Sequence, residues 1–392
     1  MNKSILCRIF VVSIIFLVSL SPLTILDVKA QEENTWITLD PMPQAISGIK
    51  AAVVNEKIYV MSETFNYEYD PTTNHWTNKT LMPTPRVSFG IATYQNKIYV
   101  IGGEYKKPNS SVVYYLAVNE VYDPLTDTWT TKTPMPTGRI DIEANVVNGK
   151  IYLIGGKAYQ NNSYYANYTS TNEVYDPVTD SWSTKQQAPF TIARYTSAVV
   201  DNKIYLMGGH SNELDKSLGW TSNLIYDVDS GTWSTGASIP ATKYSADSGA
   251  ASGTYYASAI ATAGEMAPKR VYVIGGGFAA TTNVVHVYDP EFNSWVLGAP
   301  MSTNRTGLAV AVFNDLVYAM GGFLGWEGGE WPLYGHSLGV TDVVEQYTPI
   351  GYGTIPTEPE PELFPTILVI VSIAVIAVVG LGIFVYFKKF KN

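Results

Sequence analysis

The chain has one cysteine, Cys7, among 392 residues, so neither a disulfide framework nor a thiolate metal site can be built from it. Its four histidines, His75, His210, His286 and His336, are scattered without a carboxylate in evident phase. No metal site and no cofactor is therefore expected. No Ser/His/Asp spacing stands out, and no glycine-rich phosphate loop opens a helix, because helical periodicity is nearly absent. Charge is sparse as well, at 15% of residues with a net −9. The first thirty residues carry two net positive charges and the last five carry three, which leaves fourteen net negative on the remainder. That balance argues against nucleic acid or anionic lipid as a partner.

What is present is a repeat. KIYVIGG at Lys97–Gly103 recurs as KIYLIGG at Lys150–Gly156 and KIYLMGG at Lys203–Gly209. It returns as RVYVIGG at Arg270–Gly276 and LVYAMGG at Leu316–Gly322, with a worn copy at Lys57–Glu63. The glycine pairs are Gly102/Gly103, Gly155/Gly156, Gly208/Gly209, Gly275/Gly276 and Gly321/Gly322. A Tyr-Asp pair follows five of the six phrases, and a tryptophan stands seven residues after the tyrosine, giving Trp76, Trp129, Trp182, Trp233 and Trp295. Alternating β-branched and aromatic residues before Gly-Gly read as a buried strand. Tyr-Asp-Pro-x-Thr reads as a tight turn, with proline presetting φ and aspartate bonding the amides ahead. Repeats of about 40–50 residues with these markers indicate a β-propeller.

The combination of Gly-Gly, Tyr-Asp-Pro and phased Trp resembles the Kelch repeat family, and the likeness extends over most of the chain. The expected fold is all-β, a six-bladed Kelch-type propeller. The sixth copy lacks its tryptophan, since Tyr347 is followed by Thr348-Pro349-Ile350. Trp36 and Met42 stand six apart, in the phase of Trp76/Met82. The segment Thr35–Pro43 is thus expected to supply the missing outer strand and close the ring, removing an exposed sheet edge. The architecture is similar to the central domain of galactose oxidase, whose chemistry depends on a tyrosine joined to a cysteine. No cysteine lies outside the N-terminal segment, so that chemistry is not expected. The resemblance also reaches the Kelch-like sialate epimerases, which implies a cofactor-free sugar epimerase as an alternative to a binding module.

The chain ends have their own composition. Lys3 and Arg8 precede an apolar run and then Val28-Lys29-Ala30, which reads as a secretory signal over residues 1–30. The propeller is expected over residues 31–354 and a Pro/Glu linker over 355–362. Leu363–Phe387 is a run of 25 uncharged residues, long enough to cross a bilayer as a helix. Lys388, Lys389 and Lys391 follow it. By the positive-inside rule, residues 388–392 form a cytoplasmic tail and the head lies outside the cytoplasm. The expectation is a single-pass protein of the cell membrane; a sorting signal with the same layout is the alternative. Five sequons, at Asn78, Asn109, Asn161, Asn167 and Asn304, are glycosylation candidates.

Strand direction places the second-to-third and fourth-to-first connections of every blade on one face. The long aromatic loops fall there, with Trp220, Trp326, Trp331 and Tyr334 as candidate ligand contacts. Basic residues recur at the starts of the inner strands: Arg86, Arg139, Arg194, Lys243 and Arg305. Two roles stay open for them: bonding backbone carbonyls at the channel mouth, or forming a cationic ring that grips carboxylate or phosphate. Asp247–Pro268 reads as an insertion between the first two strands of the fifth blade, on the opposite face. The expected function is a cell-surface binding or adhesion module, for a glycan or another envelope protein, with no catalytic residue assigned. A structural role in the cell envelope is a third reading.

Overall fold

The computed structural model describes residues 32–107, 112–159, 166–211, 221–240, 256–277, 281–326 and 337–354. The expected signal, linker, membrane helix and tail lie outside the described residues. So do Asn109, Asn161, Trp220, Lys243, Trp331, Tyr334 and His336. Among the described residues, no helix is long and apolar enough to cross a membrane.

Six four-stranded antiparallel sheets form the blades, and two short two-stranded sheets rise from the second and third of them. The first strands, Lys50–Val54, Gly90–Tyr94, Ala144–Val147, Thr196–Val200, Ser258–Ala261 and Ala309–Phe313, are the innermost. The KIYVI-type phrases are the second strands, and their apolar character runs on without alternation. In Lys97–Ile101 every residue after the lysine is buried, because neighbouring blades cover both faces. The fourth strands alternate instead, with only the tryptophan half-buried in segments such as Ser181–Thr184. The Gly-Gly pair ends the second strand where the next blade crowds in. At Gly102 (φ 68°) and Gly103 (φ 97°) an added Cβ would lie 2.7 Å from the Arg139 and Val87 carbonyl oxygens. Glycine alone fits, and the Gly103 amide donates to Arg139 O at 2.8 Å.

The hydrophobic core is divided into six clusters, each lying between two adjacent blades. Each interface carries the same clasp. The indole N–H of Trp129 donates to Thr80 O (2.9 Å), that of Trp182 to Thr133 O (2.9 Å) and that of Trp295 to Ala237 O (2.8 Å), always one blade back. Trp76 and Trp233 reach Asp40 O and Gln186 O in the same sense. Beside the indole, the third-strand tyrosine donates to a turn residue held at positive φ, as Tyr122 does to Asp127 and Tyr175 to Asp180. That side chain in turn accepts the Thr80 or Thr133 amide of the previous blade.

The expected ring closure is observed. Thr35–Leu39 is the outer strand of the sixth blade, paired antiparallel with Val344–Thr348 so that Trp36 faces Tyr347. Trp36 donates to Ala299 O of the fifth blade at 2.8 Å. Asn34, at φ 55°, takes the place of the turn residue across the chain break. It accepts from the Tyr347 hydroxyl and from the Ala299 amide. The N-terminal strand thereby reproduces the whole clasp without covalent continuity.

Three blades are further fastened by a buried ion pair. Arg86, Arg139 and Arg305 are each 0% exposed. Arg86 pairs with Glu120 at 2.5 Å, Arg139 with Glu173 at 2.8 Å, and Arg305 with Glu345. Their terminal nitrogens also donate to carbonyls, Val100 O and Thr84 O for Arg86, Gly155 O and Thr171 O for Arg139, Gly321 O and Val343 O for Arg305, while the buried Nε of each has no hydrogen-bond partner. The partner glutamates take a second bond from Thr84, Thr137 or the Ser302 amide. The equivalent positions in the fourth blade are Ile192 and Leu224, and in the first Ile46 and Tyr67, as the shared Gly-Gly contacts and strand registers show. Arginine and glutamate are thus exchanged together for an uncharged pair. In the fifth blade His286 holds the glutamate position. Burial lowers its pKa to about 4.

Replacing Trp36 with alanine should cost about 3–5 kcal/mol, as much as the same change at Trp129, in thermal or denaturant unfolding. A negligible loss would mean that Thr35–Leu39 does not close the ring. Arg139→Met should cost about 3–5 kcal/mol by stranding Glu173. The double change Arg139→Ile, Glu173→Leu, which copies the fourth blade, should recover most of it; a double variant no better than the single one would refute the equivalence. Because folded His286 binds its proton only near pH 4 and the unfolded side chain near 6.5, stability is full above about 6.5. It should fall by about 3 kcal/mol towards pH 4. His286→Gln should flatten that slope in a pH series of melts, and an unaltered slope would contradict the assignment.

Candidate functional site

The fourth-to-first connections of all six blades converge on the axis. In each, the backbone passes through one left-handed residue: Gly48, Ser88, Asp141, Arg194, Tyr256 and Gly307, with φ between 55° and 71°. Amide-to-carbonyl bonds join neighbours around this ring: Asp141 to Ser88 (3.1 Å), Arg194 to Asp141 (3.3 Å), Gly307 to Tyr256 (3.0 Å) and Gly48 to Gly307 (2.8 Å). Positive φ costs a non-glycine residue strain. Here the neighbouring blade fixes it, and the side chains project around the channel mouth. They frame a cavity of about 410 Å³ lined by every blade. A smaller one of 120 Å³ continues down the channel, sharing Lys50, Glu143, Ser258 and Leu308 as common wall.

Repetition stops at the side chains. One wall holds Lys50, Asp141, Glu143 and Arg194, and the other holds Tyr256, Leu308 and Phe323. Lys50 of the first blade pairs across the channel with Glu143 of the third. Arg194 Nε donates to Asp141 at 2.9 Å, and Lys157 stands 3.3 Å from the same carboxylate. The Arg194 guanidinium lies 5.5 Å from the centre of the Tyr256 ring, within cation–π range. Burial, reinforced by Asp141, pushes the Tyr256 hydroxyl up to about 12, so it stays a hydrogen-bond donor. Burial also raises Glu104 and lowers Lys157, two neighbours of this cluster.

The arginine series divides. Arg86, Arg139 and Arg305 point into the blades rather than the mouth, in the carbonyl-bonding role. Arg194 alone of the four lines the cavity. It stands two residues beyond the buried position, which Ile192 holds. Counting three residues from Pro83, Pro136, Pro189 and Pro43 gives Arg86, Arg139, Ile192 and Ile46, a phase that sets Arg194 apart. Trp326 is half-buried against Phe323, with ring centres 5.7 Å apart, and so backs a lining residue without lining the cavity itself. The fifth-blade insertion is also repositioned. Its first strand is Ser258–Ala261, so Tyr256 and Ala257 belong to the mouth-side connection and Tyr256 lines the cavity, while residues 247–255 lie outside the described residues. Only the turn from Thr262 to Arg270 lies on the far face. There the Asp315 carboxylate accepts the amides of Ala263, Glu265, Met266 and Ala267. Asn78, Asn167 and Asn304 are exposed. Among the described residues, no group of histidine, cysteine or acidic side chains could hold a metal ion.

Comparison with known proteins agrees with this architecture. The family model of the KLHDC2/KLHL20/DRC7 Kelch-repeats domain matches residues 89–322. Kelch-like protein terF of Aspergillus terreus is 29% identical over 254 residues, covering 61% of this chain and 50% of that protein. Human Kelch-like protein 23 is 27% identical over 256 residues, covering 65% of this chain and 40% of that protein. The chain thus spans half or less of the length of these relatives. The solved structure of YjhT shares the fold, with a TM-score of 0.62 at 18% identity over 78% of this chain and 95% of that one. Kelch propellers generally bind protein partners. With its six clasped blades, its Gly-Gly strand ends and this match over residues 89–322, the chain belongs to the Kelch-repeat family.

Proposed function

We propose that this protein is a membrane-anchored recognition module of the cell surface, and that the cavity at the channel mouth is its ligand seat. The observation that carries the reading is the six-membered ring at that mouth. Its backbone is held to one conformation in every blade while its side chains differ at almost every step: Gly48, Ser88, Asp141, Arg194, Tyr256 and Gly307. A rigid scaffold that presents varied side chains around a concavity is the usual design of a binding site.

The course of the chain supports the membrane part of the reading. Val344–Thr348 runs away from the mouth, and the Gly353 amide donates to Met266 O, in the far-face turn of the fifth blade, at 2.7 Å. The segment that leads to the apolar run Leu363–Phe387 therefore leaves the head on the face opposite the seat. An anchor there leaves the mouth open to the surroundings.

The full chain expressed on intact cells tests both halves. Added protease should release the head near Thr357–Pro361 and leave the lysine tail intact; a protected head would reverse the orientation. Ligands should be sought by applying glycan arrays and purified envelope proteins to the displayed head. Phe323→Ala and Tyr256→Ala should each weaken a captured ligand about tenfold, the worth of one aromatic contact. Capture indifferent to both changes would place the ligand elsewhere. Turnover of a free sugar acid, lost in Asp141→Asn, would favour the epimerase alternative.

A further inference from the structure

We propose that the seat takes an uncharged saccharide, and that its charged wall acts as a hydrogen-bonding surface of no net charge. The proposal rests on the reading of the channel mouth as a ligand seat. It begins from pairing. The cavity is lined by two cations, Lys50 and Arg194, and two carboxylates, Asp141 and Glu143, and each cation meets one of those carboxylates. Asp141, 5% exposed at its side chain, also holds Lys157 from outside the cavity wall. The three arginines that could have added positive charge to the mouth are spent inside the blades on Glu120, Glu173 and Glu345.

A ligand carboxylate or ammonium entering such a seat must give up its hydration. It must then either displace one member of a formed pair, stranding the other, or stay uncompensated; each course is costly at partly buried positions. An uncharged hydroxyl or amide meets neither penalty. It bonds to the acceptor sites of Glu143 and the ammonium N–H groups of Lys50 that their ion pair leaves over, since a carboxylate accepts at about four sites and an ammonium offers three donors. These charge-assisted bonds are stronger than those between neutral groups.

The rest of the lining completes the match. Tyr256, beside Arg194, gives with Leu308 and Phe323 an apolar surface in the same cavity of about 410 Å³. A pyranose has that polarity in miniature, with apolar C–H faces and a rim of hydroxyls. The size falls in the small-ligand range of about 300–1,000 Å³ and admits a short glycan terminus, not a folded domain. An extended polypeptide is the competing occupant, and the test below separates it.

The full chain in detergent would be applied to an array of uncharged oligosaccharides built from hexoses and N-acetylhexosamines. Matched members carrying a uronate or a free amine would stand beside them. Uncharged members should bind at least about tenfold tighter than their charged counterparts. Affinity should change less than about twofold when ionic strength rises from about 0.02 to about 0.3 M, because no net charge is being neutralised. Lys50→Met, which leaves Glu143 alone, should shift preference towards the amine-bearing members, and Glu143→Gln towards the uronates. Tighter binding of charged members by the unaltered protein, lost in Phe323→Ala, would overturn the inference while keeping the seat. An array on which no member binds would also overturn it, and a polypeptide whose binding is lost in Phe323→Ala would then be the occupant. Saccharide binding unmoved by Phe323→Ala, Tyr256→Ala, Lys50→Met and Glu143→Gln would remove the seat itself.

Discussion

Each blade donates one indole N–H to a carbonyl of the blade before it, and the rest of the molecule depends on that contact being made six times. There is no central core to fall back on. The apolar side chains are divided among six interfaces, each incomplete until two blades meet. A blade alone would expose both faces of a second strand that is apolar on both, so folding and ring formation are a single problem. The clasp fixes how far each blade is turned from the last. Tryptophan and tyrosine meet at one point, joined in five blades by an Asn or Asp at positive φ and in the fourth by Gly231, and that geometry, repeated, brings the sixth blade back to the first. The N-terminal strand then has one place to go, between the edge of Val344–Thr348 and the Ala299 carbonyl.

Much of this was legible in the amino-acid order because propeller blades repeat their physics along with their sequence. The Gly-Gly pairs mark where a backbone must pass within hydrogen-bonding distance of the next blade. The phased tryptophans mark the clasp, and Trp36 with Met42 betrayed the displaced strand. What the sequence could not separate were two uses of arginine a few residues apart. Arg139 and Arg194 each precede an inner strand, yet one is enclosed with Glu173 and the other overlooks the channel. Their difference lies in register, and register follows from which carbonyl meets Gly156, namely that of Ile192. The channel-mouth cluster was harder still. Lys50 and Glu143 are 93 residues apart and meet only because the ring sets the first and third blades across a channel. Tyr256 was hidden behind an insertion whose strand boundary no local pattern marks.

The division of labour between the buried pairs and the exposed ones lets the channel mouth differ from blade to blade while the blades themselves stay alike. Arg86–Glu120, Arg139–Glu173 and Arg305–Glu345 are backed by threonine, carbonyl or amide partners, with the buried Nε of each arginine left without one. Two blades manage with Ile192/Leu224 and Ile46/Tyr67 in their place. A charged pair there is one of two compatible fillings of the same space. The positions two residues further on answer to no such constraint, since the ring engages their backbones while their side chains meet one another at the mouth, as Arg194 meets Asp141. Side chains at the mouth can therefore change without disturbing the clasp, the Gly-Gly contacts or the six cores.

The position of the chain break also has a mechanical consequence. The strand that leads out of the head, Val344–Thr348, lies between Leu316–Met320 on one side and the N-terminal Thr35–Leu39 on the other. Tension between something held at the mouth and the segment beyond Thr354 runs along that strand lengthwise. Its neighbours are both antiparallel to it, so the ladders on the two sides are loaded in shear, all rungs together, rather than peeled one at a time from an end. The N-terminal strand, which closes the ring in the resting molecule, becomes under load one of the two rails that keep the exit strand from being drawn out.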